Sequence, residues 1–430
     1  MVREMKHTEI GEIPADWELQ TFEETFCILS NNTLPRADLN NRGGTVHNVH
    51  YGDILTRFGE VLDCEKDEVP YLNDISLLTA SAQVLQDGDV ILADTAEDNT
   101  VGKATEVYGL GKGRMVAGLH TIPCRVKKGD FVPKWLGYYM NSPVYHDQVL
   151  PYVSGIKVSS ISKTALSETL IAVPPLEEQK AIVSALSEVD QLLAELKKVV
   201  SKLRDFKRGC LHLMFPQEGS DIPQMREPGY AEPWEQRKLS LICDFEKGKG
   251  LSKDDIVEEG IYPCILYGQL FTEYGMFIDE VQSRSNTIGN DYKLSKKGDI
   301  LIPRCDTTPD GLGRASSLDL DNVILGSDIN ILRIRDKHRY DSKFISAALN
   351  HHKKTLLSKV VGSTVRHLEN KELKDIFIEV PCSIKEQQMI GSLFQQLENV
   401  ITLHQQKFDK YTQIKKTMMN ELITGKIQLV

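Results

Sequence analysis

Most of the signatures of catalysis, export and metal binding are missing from this 430-residue sequence. There is no uninterrupted apolar run of the roughly 18 residues that a membrane-spanning helix needs. The opening Met1-Val2-Arg3-Glu4-Met5-Lys6-His7 has no apolar stretch behind it, so no signal peptide is expected. Eight cysteines (27, 64, 124, 210, 243, 264, 305 and 382) are scattered without a Cys-x-x-Cys pair. That spacing argues against a zinc site and predicts reduced thiols in a cytoplasm. No Gly-x-x-x-x-Gly-Lys-Ser/Thr phosphate loop and no Gly-x-Ser-x-Gly nucleophile turn occurs. The Asn/Asp-Pro-Pro-Tyr/Phe tetrapeptide that would hold a base for methylation is also missing, because Pro174-Pro175 lacks both flanks. A basic surplus is lacking too: 51 Lys and Arg against 61 Asp and Glu leave a net charge of −10. This counts against a simple DNA-binding protein, although a negative total leaves room for local positive faces and for phosphate contacts supplied by a partner.

What is present is said twice. Val173-Pro174-Pro175-Leu176-Glu177-Glu178-Gln179 returns as Val380-Pro381-Cys382-Ser383-Ile384-Lys385-Glu386-Gln387, and the Glu-Gln pairs lie 208 apart (386 − 178). Upstream, Trp17-Glu18 matches Trp234-Glu235 and Tyr51-Gly52 matches Tyr267-Gly268. Gly88-Asp89-Val90-Ile91-Leu92 matches Gly298-Asp299-Ile300-Leu301-Ile302, and Gly102-Lys103-Ala104 matches Gly313-Arg314-Ala315. Gly118 and Gly155 match Gly326 and Gly362. The order is kept while the offset drifts, which implies one duplicated scaffold with different loops. The period is far longer than the roughly 20–50 residues of a solenoid unit.

Each Glu-Gln pair opens a long amphipathic segment. In the first, the apolar seam is Ile182, Leu186, Val189, Leu193, Leu196, Val200 and Leu203, then Cys210 and Met214, interrupted at Lys207. In the second it is Ile390, Phe394, Leu397, Ile401, His404, Phe408 and Tyr411, then Met418 and Leu422, interrupted at Lys415. Steps of four and three are the 3.5-residue seam of a coiled coil. Each helix is predicted to run about 37 residues, roughly 55 Å, and the two are expected to pair antiparallel as a spacer. The blander alternative is one buried core helix per domain.

The resulting division is a first head over 1–172, a helix over 173–215, a linker over 216–233, a second head over 234–380 and a second helix over 381–430. The fold class is α/β or α+β in tandem. Residues 11–17 are expected to form a turn leading into the first head. Two polar loops at matching places, 94–103 and 304–314, end in Gly-Lys and Gly-Arg, and two glycine turns, 155–160 and 362–367, precede each head's last strand. Such side chains read base edges or hold phosphates. The candidate DNA contacts are Tyr51, Thr95, Asn99, Lys103, Lys157, Ser159 and Ser160 in the first head. In the second they are Tyr267, Arg304, Thr307, Arg314, Thr364, Arg366 and His367. Ordinary surface turns are the competing reading for the loops, and a buried hydrogen-bonded phenol for the tyrosines. No catalytic residue and no metal ligand is assigned. Asp190, Glu195 and Lys197 form a loose nuclease-like pattern, but they lie on the first helix, where wet-face charges are expected. His351-His352-Lys353-Lys354 is either a small metal or phosphate patch or a solvated helix end.

Taken together, the paired heads, the Pro174-Pro175-Leu176-Glu177-Glu178-Gln179 lead, the opening Ile10-Gly11-Glu12-Ile13-Pro14…Trp17 and the Trp234-Glu235 restart resemble the DNA-specificity subunit of Type I restriction–modification systems. Cys382-Ser383-Ile384-Lys385 departs from the usual Pro-Leu lead by one extra residue. The resemblance implies two target-recognition domains, each reading half of a split target in double-stranded DNA, with the helices setting the gap. It also implies two modification subunits that carry S-adenosylmethionine, and, where a restriction subunit exists, ATP and Mg²⁺ on that subunit. This chain would then bind no cofactor and no membrane and make no bonds itself. Four residues added to one helix after Lys198 are expected to lengthen the gap and keep both half-sites. The competing class is a coiled-coil protein scaffold that reads no DNA.

Overall fold

Apolar runs such as Val90-Ile91-Leu92-Ala93 form strands covered on both faces. In the computed structural model, which describes residues 4–155, 158–289, 291–306 and 309–429, two such runs lie at the centres of two five-stranded sheets. The chain divides into two units, 1–195 with 409–430, and 196–408.

In the first unit the sheet order is Phe26–Ile28, Thr121–Val126, Val90–Ala93, Ala104–Tyr108, Val61–Asp63. Neighbours run antiparallel except the last pair, which is parallel. Successive side chains point to opposite faces, so the central strand feeds two cores. Val90 and Leu92 pack with Trp17, Trp135, Tyr139 and Tyr145, while Ile91 and Ala93 pack with Leu62, Val107 and Met115.

The second unit repeats the plan with Cys243–Lys247, Ile329–Ile334, Asp299–Pro303, Ser316–Leu318 and Phe277–Ile278. Its last pair is again parallel. Ile300 and Ile302 face Trp234, Phe215 and Phe344, and Leu301 faces Ile329, Ile331 and Leu318. In each unit an antiparallel pair brings the start of the head to its end: Glu18–Thr21 with Leu170–Val173, and Glu235–Lys238 with Phe377–Val380.

The long helices are Leu176–Leu213, 38 residues, and Ile384–Ile423, 40 residues. Gly425 lies in the left-handed region (φ 67°) just past the second, where a helix stop favours glycine. The unit boundary falls within both helices, so the packing division differs from the linear one. In the first unit, Ile182 and Leu186 from the start of one helix share a core with Met419, Leu422 and Ile423 from the end of the other. In the second unit, Ile390 and Phe394 share a core with Cys210 and with Phe215, just beyond the first helix. Each head is closed by the start of its own helix and the end of the other head's helix.

One expectation needs correction in part. The first part of the segment 11–17 is a strand, Gly11–Pro14, paired with Met5–Thr8; the expected turn is confined to Ala15–Asp16, closed by Trp17 N–H on the Pro14 carbonyl at 3.1 Å. Residues 216–233, the expected linker, carry no regular element, and within them Arg226 forks the buried Glu386 carboxylate at 2.7 and 3.0 Å. Among the described residues no helix is long and apolar enough to cross a membrane.

Candidate nucleic-acid interface

The repeated Glu-Gln pair belongs to the scaffold. Gln179 is fully buried; its amide donates to the Pro174 and Asp130 carbonyls (2.9 and 3.3 Å) and accepts from Val132 N–H (2.9 Å). Gln387 repeats this with Pro381, Arg339 and Asp341, each at 3.0 Å. The neighbouring glutamates accept indole N–H bonds, Trp17 to Glu178 at 2.9 Å and Trp234 to Glu386 at 3.3 Å. One carboxamide and one carboxylate thereby join head, strand end and helix start in each unit.

The polar loops leave the central strands and meet the glycine turns. Thr95–Ala96 pairs antiparallel with Ser159–Ser160, and Cys305–Asp306 pairs antiparallel with Arg366–His367. Four separate loops of the sequence thus become one short ribbon per unit. Gly155 (φ 119°) and Gly362 (φ 112°) make the matching turns, where an added Cβ would strike the carbonyls of Val158 and Val365. Val158 and Val365 themselves are exposed, as is Thr364. Ser159, Ser160, Arg366 and His367 are half-buried in the ribbons, and Asn99 is exposed at the end of its loop.

Two candidate cations bond backbone carbonyls within the chain. Lys103 turns inward and donates to the Leu55 and Phe58 carbonyls (3.2 and 3.0 Å), and burial pulls its ammonium below the usual lysine range. Arg314 donates to the Phe271 carbonyl at 3.2 Å. Both satisfy carbonyls around the ends of the short helices Tyr51–Thr56 and Gln269–Thr272, where cations are favoured. The Gly-Lys ending therefore holds the scaffold, while Arg314 stays exposed and spends one N–H on its carbonyl; sequence spacing alone could not separate a helix-end cation from a phosphate contact. Lys157 and Thr307 lie outside the described residues.

Tyr51 and Tyr267 are half-buried beside the ribbons. The Tyr51 ring meets the His120 ring edge-on at 5.2 Å. The Cys305 thiol, and then partial burial, raise the Tyr267 phenol above its usual range. Thr95 donates to Asp94 at 2.7 Å, and its hydroxyl lies 3.3 Å from His120 Nδ1. Arg304 donates to Asp328 (Nε, 3.0 Å; Nη2, 2.5 Å) and, through Nη1, to Glu369 at 3.4 Å. Asp94, His120 and Asp328 were not among the sequence candidates. Asp94 opens the polar loop 94–103, and the one sequence signal of the other two is that His120 and Asp328 each stand two residues after a matched glycine, Gly118 and Gly326.

Seam residues Ile182, Leu186, Leu196, Val200, Ile390, Phe394 and Ile401 are buried; Val189, Leu193, Leu203, Leu397, Phe408 and Tyr411 are half-buried. The two seam interruptions are ion pairs: Lys207 with Glu398 (2.5 Å) in the second unit and Lys415 with Asp190 (2.6 Å) and Glu60 (2.5 Å) in the first. Asp190 is therefore a partner of the helix seam, not part of a nuclease centre. In the histidine-lysine run, His352 pairs with Glu379 at 2.7 Å and His351 stacks on Phe215. No metal-holding cluster of His, Cys, Asp or Glu occurs among the described residues.

A family model described as the Type I restriction modification DNA specificity domain matches residues 14–202 and again 231–413. The chain named MjaX specificity subunit, from Methanocaldococcus jannaschii, is 24% identical over 433 residues, covering 99% of this chain and 96% of that one. The type I restriction enzyme MjaIX specificity subunit of the same organism is 21% identical over 439 residues, covering 99% and 97%. Among solved structures, the S subunit of a Type I restriction–modification system from M. genitalium superposes with a TM-score of 0.60 at 14% identity, covering 98% of this chain and 99% of that one.

Proposed function

We propose a division of labour from the premise that this chain belongs to the Type I restriction–modification DNA specificity family, whose domain it carries twice. It is a DNA-recognition subunit, and each of its two heads reads one half of a bipartite target. The long helices set the gap between the halves and dock two modification subunits. Those subunits bind S-adenosylmethionine and transfer the methyl group, and a restriction subunit, where one exists, supplies ATP-driven steps. This chain supplies the address, makes no bonds and works in the cytoplasm, where the DNA is.

The observation that carries this reading is the repetition of one scaffold with chemically unlike ribbons. Thr95, Ser159 and Ser160 stand where Cys305, Arg366 and His367 stand in the other unit. Equivalent positions with different donors and acceptors suit two different base sequences. The net charge of −10 favours a second reading, a protein scaffold that leaves DNA alone.

Co-expression with its modification subunits in a host free of DNA methylation, followed by genome-wide mapping of methylated bases, separates the two. The expected result is one split motif with unlike halves and a constant gap. An assembled complex that leaves the genome unmethylated supports the scaffold reading instead.

A further inference from the structure

The two units share a non-glycine residue in the left-handed region whose side chain faces the first residue after the central strand. His120 (φ 54°) and Asp328 (φ 66°) both adopt the left-handed backbone conformation, and they lie 208 apart (328 − 120), the spacing of the Glu-Gln pairs. Glycine takes that conformation most readily; aspartate and histidine adopt it more often than most other residues, at some cost in backbone strain. Each of the two carbonyls accepts from the first residue after its central strand: Asp94 N–H at 3.1 Å in the first unit and Arg304 N–H at 2.7 Å in the second. The backbone frame is therefore the same in both.

The side chains on that frame have opposite polarity. In the first unit an acid, Asp94, faces a base, His120, at 3.3 Å. In the second a base, Arg304, faces an acid, Asp328, at 2.5 Å. All four side chains keep between 27% and 46% of their surface exposed. A polar contact that keeps a quarter or more of its surface in water contributes modestly to stability, which is a weak reason to hold a non-glycine residue in the left-handed region. Strain kept at an open polar site is a mark of function.

We propose that Asp94 with His120, and Arg304 with Asp328, are the base-reading pairs of the two heads, on equivalent positions with acid and base exchanged. This inference rests on the DNA-recognition reading above. A guanidinium held flat by a carboxylate presents the fork that matches guanine O6 and N7. Arg304 is held so by Asp328 and, on its other side, by Glu369, which is itself paired with Lys247 at 2.6 Å. The second head therefore demands a guanine. A carboxylate accepts from an exocyclic amino group, so Asp94 selects cytosine or adenine, with Thr95 and His120 fixing its direction. Tyr51 flanks the first pair, its ring edge-on to that of His120 at 5.2 Å.

The test uses the full chain assembled with its modification subunits. The wild-type motif is mapped first, and competition binding is then measured on a panel of duplexes with one base pair changed at each position. The variants are D94N and H120N in the first head and R304Q and D328N in the second; asparagine tolerates the left-handed conformation. Each variant is expected to lose about tenfold or more in discrimination at one or two adjacent base pairs of a single half-site. The profile of the other half-site should stay as in the wild type. The position relaxed by R304Q should be a guanine, and the one relaxed by D94N a cytosine or adenine on the contacted strand. A variant that weakens binding to every duplex by one factor, as a phosphate contact or a damaged fold would, overturns the assignment, and so does an unaltered profile. A wild-type complex with no split motif at all sinks the recognition reading itself, which is a different result.

Discussion

At the scale of the residue, burial decides what a polar group can do. Glu106 is 2% exposed, and its carboxyl accepts the backbone N–H groups of Lys134 (2.5 Å) and Gly137 (2.9 Å) at the start of the helix Trp135–Met140. Burial outweighs those donors and pushes its pKa up to about 7 from an ordinary 4.5. An acid whose folded pKa is raised stays protonated in the native state while the unfolded chain ionises. Its contribution is therefore full below pH 4.5 and is lost as pH rises towards 7. Urea unfolding across that window should show the wild type losing stability relative to E106Q as pH rises. A flat difference would mean that the backbone donors keep Glu106 ionised throughout.

At the scale of the element, the helix seam carries one cation per helix at matched places. Burial alone would pull the Lys415 ammonium down, but Glu60 and Asp190 outweigh it and hold it above the usual lysine range. Asp190 also accepts from the Tyr138 hydroxyl at 2.6 Å. Removing this ammonium leaves two part-exposed carboxylates beside each other in the seam. K415M is expected to cost about 2 kcal/mol, a buried-pair penalty discounted for the partial exposure of both acids. The triple variant K415M/E60Q/D190N should recover most of that loss in urea unfolding. If the triple variant is no more stable than K415M, the cost comes from side-chain packing and not from stranded charge. K207M, with Glu398 as its partner, should cost less. The 4-3 alternation of the seam could be read from the sequence because a helix repeats every 3.6 residues and burial follows that repeat. The task of the two lysines could not, because each acid partner lies far away in the chain.

At the scale of the whole molecule, register governs what can be inserted. Lys207 meets Glu398 in one unit and Asp190 meets Lys415 in the other; 207 − 190 and 415 − 398 are both 17. The helices thus keep a single antiparallel register in both units. Four residues added after Lys198 alone, the change the sequence suggested, would shift that register on one side. A matched insertion of one heptad after Lys198 and one after Gln406 (198 + 208) preserves the seam. It adds about 10 Å of helix, or roughly three base pairs at 3.4 Å each. Methylation mapping should then return both half-sites unchanged with a gap about three base pairs longer. A changed half-site would tell against the spacer role.

The sequence by itself determined the duplication, the extents of both long helices and the apolar central strands. Those features are local or periodic, and burial imprints its period directly on the order of residues. The bounds Ile384–Ile423 and the stop at Gly425 were legible for that reason. Only the tertiary structure decided that the end of each long helix closes the other helix's head, that Lys103 and Arg314 satisfy helix-end carbonyls, and that Asp94 meets His120 while Arg304 meets Asp328. These partners are brought together by strand pairing and by the return of the chain, and a side chain's local pattern carries no record of what will stand opposite it once the sheet has closed.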